Sequence, residues 1–235
     1  MSDPVTVNPH LRPTAPIAVD ALLPGDPGRA LALAQALLEQ PKMCNHHRGL
    51  WGYSGVTADG RELTIQSTGI GGSSAAIVLA ELARHGVRRA IRIGTCTALE
   101  GGPPLGAAIA AEGALGAEGA SRALGADGTL SPDPELHSRL VGGSPGAPEA
   151  ALVASVDLVS AAPGLERAAA GPGDGVAALE MGTATLFALG PRLGVAVASA
   201  LVVTATRGGA GALEDAELER ASTELAGVAA RALAP

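Results

Sequence analysis

Ile17-Ala18-Val19-Asp20-Ala21-Leu22-Leu23-Pro24-Gly25-Asp26-Pro27-Gly28-Arg29 decides how the chain is read. A mostly apolar run, Ile17–Leu23, ends in a Pro/Gly turn, and a helical pattern follows from Arg29 to Glu39. That is strand, tight turn, helix. Asp26 is placed to cap the helix and Pro27 suits its first turn, which leaves backbone N–H groups aimed at the strand's carboxyl end. The same alternation recurs outward. Leu63–Ser67 reads as a strand closed by Thr68-Gly69-Ile70-Gly71-Gly72, and Ser73 as the N-cap of a helix. In that helix Ala75, Val78, Leu79 and Leu82 recur at helical spacing until Gly86. Arg89–Gly94 and Ala151–Val156 read as strands, Val176–Leu189 as a helix, Val195–Val203 as a long strand, and Glu214–Leu233 as a closing helix. Residues 101–150 are rich in Gly and Pro and take no clear pattern. Alternating helices and buried strands imply an α/β fold whose mixed, largely parallel central sheet is flanked by helices. With no internal repeat or composition shift, a single domain over residues 1–235 is expected.

Composition narrows the function. At 47% hydrophobic residues, 235 residues can bury a large core. Aromatic residues are 1% of the chain (Trp51, Tyr53 and Phe187), too few to build stacking platforms for single-stranded nucleic acid. A formal charge of −7 argues against binding a phosphate backbone. Cys44 and Cys96 form neither a disulfide framework nor a zinc cluster, so a reducing, cytoplasmic setting is expected. The first twenty residues lack the character of a signal peptide, and no apolar stretch is long enough for a membrane span.

Three segments carry chemistry. Gly25-Asp26-Pro27-Gly28-Arg29 is either an ordinary strand–helix turn or an anion site, with Arg29 reaching a ligand at the helix N-terminus. Arg92-Ile93-Gly94-Thr95-Cys96 puts a charge inside a strand built for burial. Arg92 therefore needs a partner, either a structural carboxylate or an anionic ligand at the strand's carboxyl end. Thr68–Ser73 allows close approach of a ligand to backbone, or simply turns the chain onto a helix. It matches neither a P-loop nor a dinucleotide fingerprint.

Taken in order, Pro24–Arg29 (PGDPGR), Ser67–Ser73 (STGIGGS), Glu81-Leu82 with Gly86-Val87, Arg92–Cys96 (RIGTC) and Glu180-Met181 resemble the nucleoside phosphorylase family. That family includes uridine phosphorylase and the hexameric bacterial purine nucleoside phosphorylases. The resemblance runs from about His10 to the C-terminal helix and is weakest over 101–150. It implies a phosphate site of Gly25, Arg29, Arg92 and Thr95, with Arg48 lent by a neighbouring subunit. It implies nucleoside contacts from His10, Thr95, Cys96, Arg167, Glu180 and Met181, His10 again acting across a dimer. Arg29, Arg92 and Arg167 would be the catalytic arginines, Arg167 stabilising the departing base. The implied reaction is phosphorolysis of a nucleoside to free base and pentose 1-phosphate, in a homo-oligomer, a hexamer built from dimers. Inorganic phosphate is the co-substrate and no metal or other cofactor is implied.

The chain departs from the family pattern at five places, one of them Gly49, which follows Arg48 where uridine phosphorylases carry a Glu that helps hold a monovalent cation, so that ion is not implied here. Glu-Met-Glu reads Glu180-Met181-Gly182, so a carboxylate for the sugar hydroxyls is missing, and on a helix Glu180 would point away from that position. Thr97 stands where the family has Gly. Leu165 replaces a base-reading Gln in Pro163-Gly164-Leu165-Glu166-Arg167. Thr204–Arg207 lacks the Ser-Asp pair with which purine enzymes protonate the base. The retained Arg167 and the missing acid make a pyrimidine, uridine-like nucleoside the expected substrate. The alternatives are a purine-type phosphorylase and an altered member that binds a nucleoside-like or anionic ligand without turnover.

Overall fold

Alternating burial along the first strand sets the layers. In β1 (Asp20–Pro24), Ala21 and Leu23 pack to one side of the sheet and Leu22 to the other. The computed structural model describes residues 9–126, 128–142, 146–159, 175–209 and 211–234. Within them the chain runs β1, α1 (Pro27–Leu37), β2 (Glu39–Asn45), β3 (Gly52–Val56), β4 (Glu62–Gln66), α2 (Gly71–Arg84) and β5 (Arg89–Ala98). It continues through β6 (Ala108–Gly116), α3 (Gly119–Ala123), β7 (Thr129–Leu130), α4 (Pro134–Val141) and β8 (Glu149–Ser155). The last elements are β9 (Ala178–Glu180), α5 (Thr183–Leu193), β10 (Ala196–Thr206) and α6 (Asp215–Ala232).

Helices α2 and α5 cover one face of the sheet, around Val78, Leu79, Leu186 and Phe187. Helices α1, α4 and α6 cover the other, around Leu33, Leu136, Leu140 and Leu225. The expected α/β class holds, with a more mixed sheet than the sequence pattern implies. Among the described residues five strand pairings are parallel, including those of β5 with β1 and β10, and five are antiparallel. Strands β5, β10, β6, β8 and β9 pair in a closed ring, which spares them open edges.

Strand β5 is longer than Arg89–Gly94, and its extra length creates the site. On one edge, β1 pairs with it up to Pro24 opposite Ile93, and β9 joins only at Leu179 opposite Thr97. Gly94, Thr95 and Cys96 lie between, where the neighbouring strands diverge. On the other edge β10 accompanies β5 throughout, with a bulge between Val203 and Ala205.

Three expectations of element or boundary are corrected. Helix α2 starts at Gly71, not behind a Ser73 cap: Gly69 (φ 74°) and Gly71 (φ 84°) take left-handed backbone that turns the chain three residues earlier. Ser74 then ties the turn by donating to the Thr68 carbonyl at 2.5 Å. The expected helix Val176–Leu189 is a short strand, β9, followed by α5. A short apolar run has no period that separates strand from helix, and the break falls at Met181-Gly182, where Glu180 accepts the first N–H groups of α5. Strand β1 also begins at Asp20 rather than Ile17. The unassigned stretch 101–150 contains β6, α3, β7 and α4, and Asp133 caps α4 by accepting from Leu136 N at 3.0 Å.

Candidate active site

The divergence of β1 and β9 opens a cleft of about 430 Å³ at the carboxyl ends of the strands, within the range of small-molecule sites. The β1–α1 turn contributes Gly25, Asp26, Pro27 and Arg29, and the turn into α2 contributes Gly69, Ile70 and Gly71. Strand β5 supplies Arg92, Gly94, Thr95, Cys96 and Thr97, while Glu180 and Met181 come from the end of β9. Val159, Leu179 and Thr204 complete the wall. The two glycine turns are stitched together by Thr68 N donating to Pro24 O at 2.8 Å and Gly69 N to Gly25 O at 3.0 Å.

Asp26 accepts from Arg29 N at 2.7 Å and so caps α1, as its position predicts. Its charge also faces Arg29. Burial pushes the Arg29 pKa down; Asp26 opposes this, and the like charge of Arg92 adds to it. Two guanidinium groups thus face one cleft closely enough to repel, an arrangement that an anion between them relieves.

Arg92 has the carboxylate partner that its buried charge demands. Its Nη2 lies 3.2 Å from Glu180 Oε2, and both side chains are buried. Its Nε makes no hydrogen bond among the described residues. The guanidinium lies over Gly94, where a Cβ would come within 3.1 Å of Nε and 2.6 Å of Leu201 Cδ2, so no larger residue fits there without displacing it.

Glu180 is not on a helix and does not point away. It ends β9 inside the cleft wall. Its carboxylate accepts from Gly182 N at 2.9 and 3.0 Å, from Thr183 N at 2.8 Å, and from the Ser155 hydroxyl. A carboxylate at a helix N-terminus is favoured by the dipole. Gly182 sits in that turn, and a Cβ there would meet only ordinary contacts at 3.7 Å, with Ala75 and the start of α2. The Cys96 thiol is pushed up to about 12, by burial first and the nearby Glu180 second. It stays protonated and is no nucleophile.

Of the residues singled out in the sequence, Gly25, Arg29, Arg92, Thr95, Cys96, Glu180 and Met181 meet in this cleft. Arg167 and Leu165 fall outside the described residues. His10 and Arg48 do not line the cleft of their own chain. The His10 ring is 2.8 Å from Glu81 on α2, whose carboxylate also accepts from His10 N (2.9 Å) and Leu11 N (2.6 Å). Arg48 is exposed in a tight turn, His47–Gly49, with left-handed backbone (φ 58°, ψ 20°). His10, Arg12, His46, His47 and Arg48 share one edge of the molecule. Partial burial, followed by the surrounding charge of the others, holds His47 below its ordinary pKa.

Sequence reasoning missed the part played by Ser155, which donates to Glu180. Ser155 was findable as a hydroxyl at the carboxyl end of a predicted strand, the end where α/β sheets place ligands. Ile70, within the Thr68–Ser73 segment, is 84% exposed at the cleft's lip.

An α/β sheet with an arginine-lined, glycine-walled cleft at its strand ends belongs to the class of α/β proteins whose ligand sites lie beyond the carboxyl ends of the strands. The particular family follows from comparison: residues 20–234 match the model of the phosphorylase superfamily, and the chain belongs to it. It is similar to a "purine nucleoside phosphorylase DeoD-type" of Oceanobacillus iheyensis, 42% identical over 99 residues, which is 42% of either chain. It is also similar to proteins of the same name from Caldanaerobacter subterraneus subsp. tengcongensis (45%) and Clostridium perfringens (44%), each over 85 residues and 36% of either chain. The similar stretches thus span less than half the length of these relatives. No helix among the described residues is long and apolar enough to cross a membrane.

Proposed function

We propose that this protein is a nucleoside phosphorylase, transferring a pentosyl group from a nucleoside to inorganic phosphate. The observation that carries the reading is the convergence of Arg29 and Arg92 with the backbone of Gly25 and Gly69–Gly71 on one cleft. Phosphate held there attacks the anomeric carbon as the glycosidic bond breaks, and the bonding pair leaves with the base, which takes a proton from solvent. Binding and orienting the nucleophile is the protein's main contribution, and positioning of this kind lowers barriers by several kcal/mol. In this reading Arg29 and Arg92 are catalytic, Thr95 completes the phosphate site, and Arg167 stabilises the departing base. No cofactor beyond the phosphate is needed, and a cytoplasmic location fits two unpaired thiols. The nearest partner is a second copy of the chain, whose His10 and Arg48 edge completes the cleft, in a hexamer built from dimers.

Strand β5 runs from Arg92 toward Thr97, and the Arg92 guanidinium reaches forward over Gly94 to Glu180, so phosphate on the Arg92 side and base on the Thr97 side share one cleft. The base end is walled by Thr97, Val159, Leu179 and Thr204, whose hydroxyl donates to Cys96 O at 3.3 Å. The relatives' names favour a purine over the uridine-like substrate expected from Arg167. The pyrimidine reading keeps two observations in its favour, the retained Arg167 and the absence of an acid from Thr204–Arg207. Comparing kcat/KM on inosine, adenosine, uridine and thymidine decides between them. We expect inosine or adenosine to exceed both pyrimidine nucleosides by about tenfold or more, the discrimination of one well-placed polar contact. A preference for uridine or thymidine overturns the purine assignment.

A further inference from the structure

We propose that Ser155 is a positioning residue for the phosphate arm, acting on Arg92 through Glu180; the proposal rests on the reading of Arg92 as a phosphate ligand. Ser155 ends β8, is fully buried and does not line the cleft. Its hydroxyl donates to Glu180 Oε1 and accepts from Ala184 N at 2.8 Å, so it is held at both ends. The consequence is an asymmetric carboxylate. Oε1 takes Ser155, Thr183 N (2.8 Å) and Gly182 N (3.0 Å), whereas Oε2 takes Gly182 N at 2.9 Å and faces Arg92 Nη2 at 3.2 Å.

With Oε1 saturated, the carboxylate cannot rotate without abandoning donors, and its charge is spread over the α5 turn. Arg92 is thereby tethered without being fully neutralised, and its Nε keeps no other bond among the described residues. Tethering a ligand-binding arginine by a buried carboxylate that is itself held in place is the general way a binding group is kept in one rotamer. Gly94 sets the guanidinium from the opposite side, since its missing Cβ is what lets Arg92 lie flat on the strand.

The test is phosphate affinity, measured by calorimetry on the intact oligomer, beside KM for the nucleoside. Ser155→Ala is expected to weaken phosphate binding about tenfold, the size of one charge-assisted hydrogen bond. KM for the nucleoside should move by less than about threefold. Ser155→Thr, which restores the hydroxyl, should recover most of the loss. Ser155→Cys, which keeps the shape and a weak donor, should fall between, and it serves if the alanine variant does not fold. Because Ser155 acts only through the Arg92 fork, Ser155→Ala in an Arg92→Lys background should cost less than about threefold. A purely structural role predicts additive losses and no rescue by threonine, and that result overturns the proposal. If Arg92→Ala abolishes phosphate binding and Ser155→Ala leaves it unchanged, the positioning role alone fails. If the unmodified protein binds no phosphate, the phosphorylase reading fails and takes this proposal with it.

Discussion

Arg92→Ala is expected to lower kcat/KM for phosphorolysis roughly 1,000-fold, the upper range for losing a preorganised charge-stabilising group. The guanidinium is buried in the cleft wall, with Glu180 on one side and Gly94 beneath it, so no neighbouring side chain can take its place. Loss should appear in phosphate binding and in kcat together, because phosphate is the nucleophile as well as a ligand. The variant should remain folded. Breaking a buried ion pair by removing one partner costs about 3–5 kcal/mol where the other charge is left alone. Here Glu180 retains Ser155, Gly182 N, Thr183 N and the α5 dipole, so the cost should lie at or below the bottom of that range. Urea unfolding beside steady-state kinetics checks both halves, and a folded variant with unimpaired turnover and phosphate affinity contradicts the assignment.

The second large effect is complementation between dead subunits. Arg48 is exposed and away from its own chain's cleft, on an edge that also carries His10 and Arg12. If a neighbour's cleft receives it, Arg48→Ala should be nearly inactive by itself. Mixing it with Arg92→Ala and allowing subunit exchange creates dimers in which one cleft has both arginines and the other has neither. In an equal, random mixture that is one site in about four, so close to a quarter of wild-type activity should return from two inactive proteins. No recovery after exchange has been verified, or full activity from a sedimenting monomer, removes the shared site.

Much of this site was legible because charge and glycine are conspicuous in apolar strands. Gly25, Asp26 and Arg29 announced a helix N-terminus facing a strand end, and the structure places all three on the cleft with Asp26 capping α1. Arg92 stood out because a cation inside Arg89–Gly94 demands a partner, but its position could not say which. Its partner, Glu180, is 88 residues away in sequence, and only the closed ring of strands brings β9 to β5. The misreading of Val176–Leu189 as one helix hid that contact, since it aimed Glu180 elsewhere. Residue types alone could not separate β9 from α5, because the turn between them is stabilised by a side chain that lies before it, not by a cap residue. Residues 101–150 stayed unread for a similar reason: the Ala/Gly-rich β6 is defined by its pairing with β8 and β10, not by a periodic pattern of its own.

In the proposed reaction phosphate is the nucleophile. Incubating the protein with inosine, or with whichever nucleoside proves best, in the presence and absence of inorganic phosphate tests it directly. The prediction is free base and pentose 1-phosphate in equal amounts, with base release disappearing when phosphate is withheld. Base release that continues without phosphate and yields free pentose would make the protein a hydrolase; no release from any nucleoside would make it a binding protein. Either result rules out phosphorolysis.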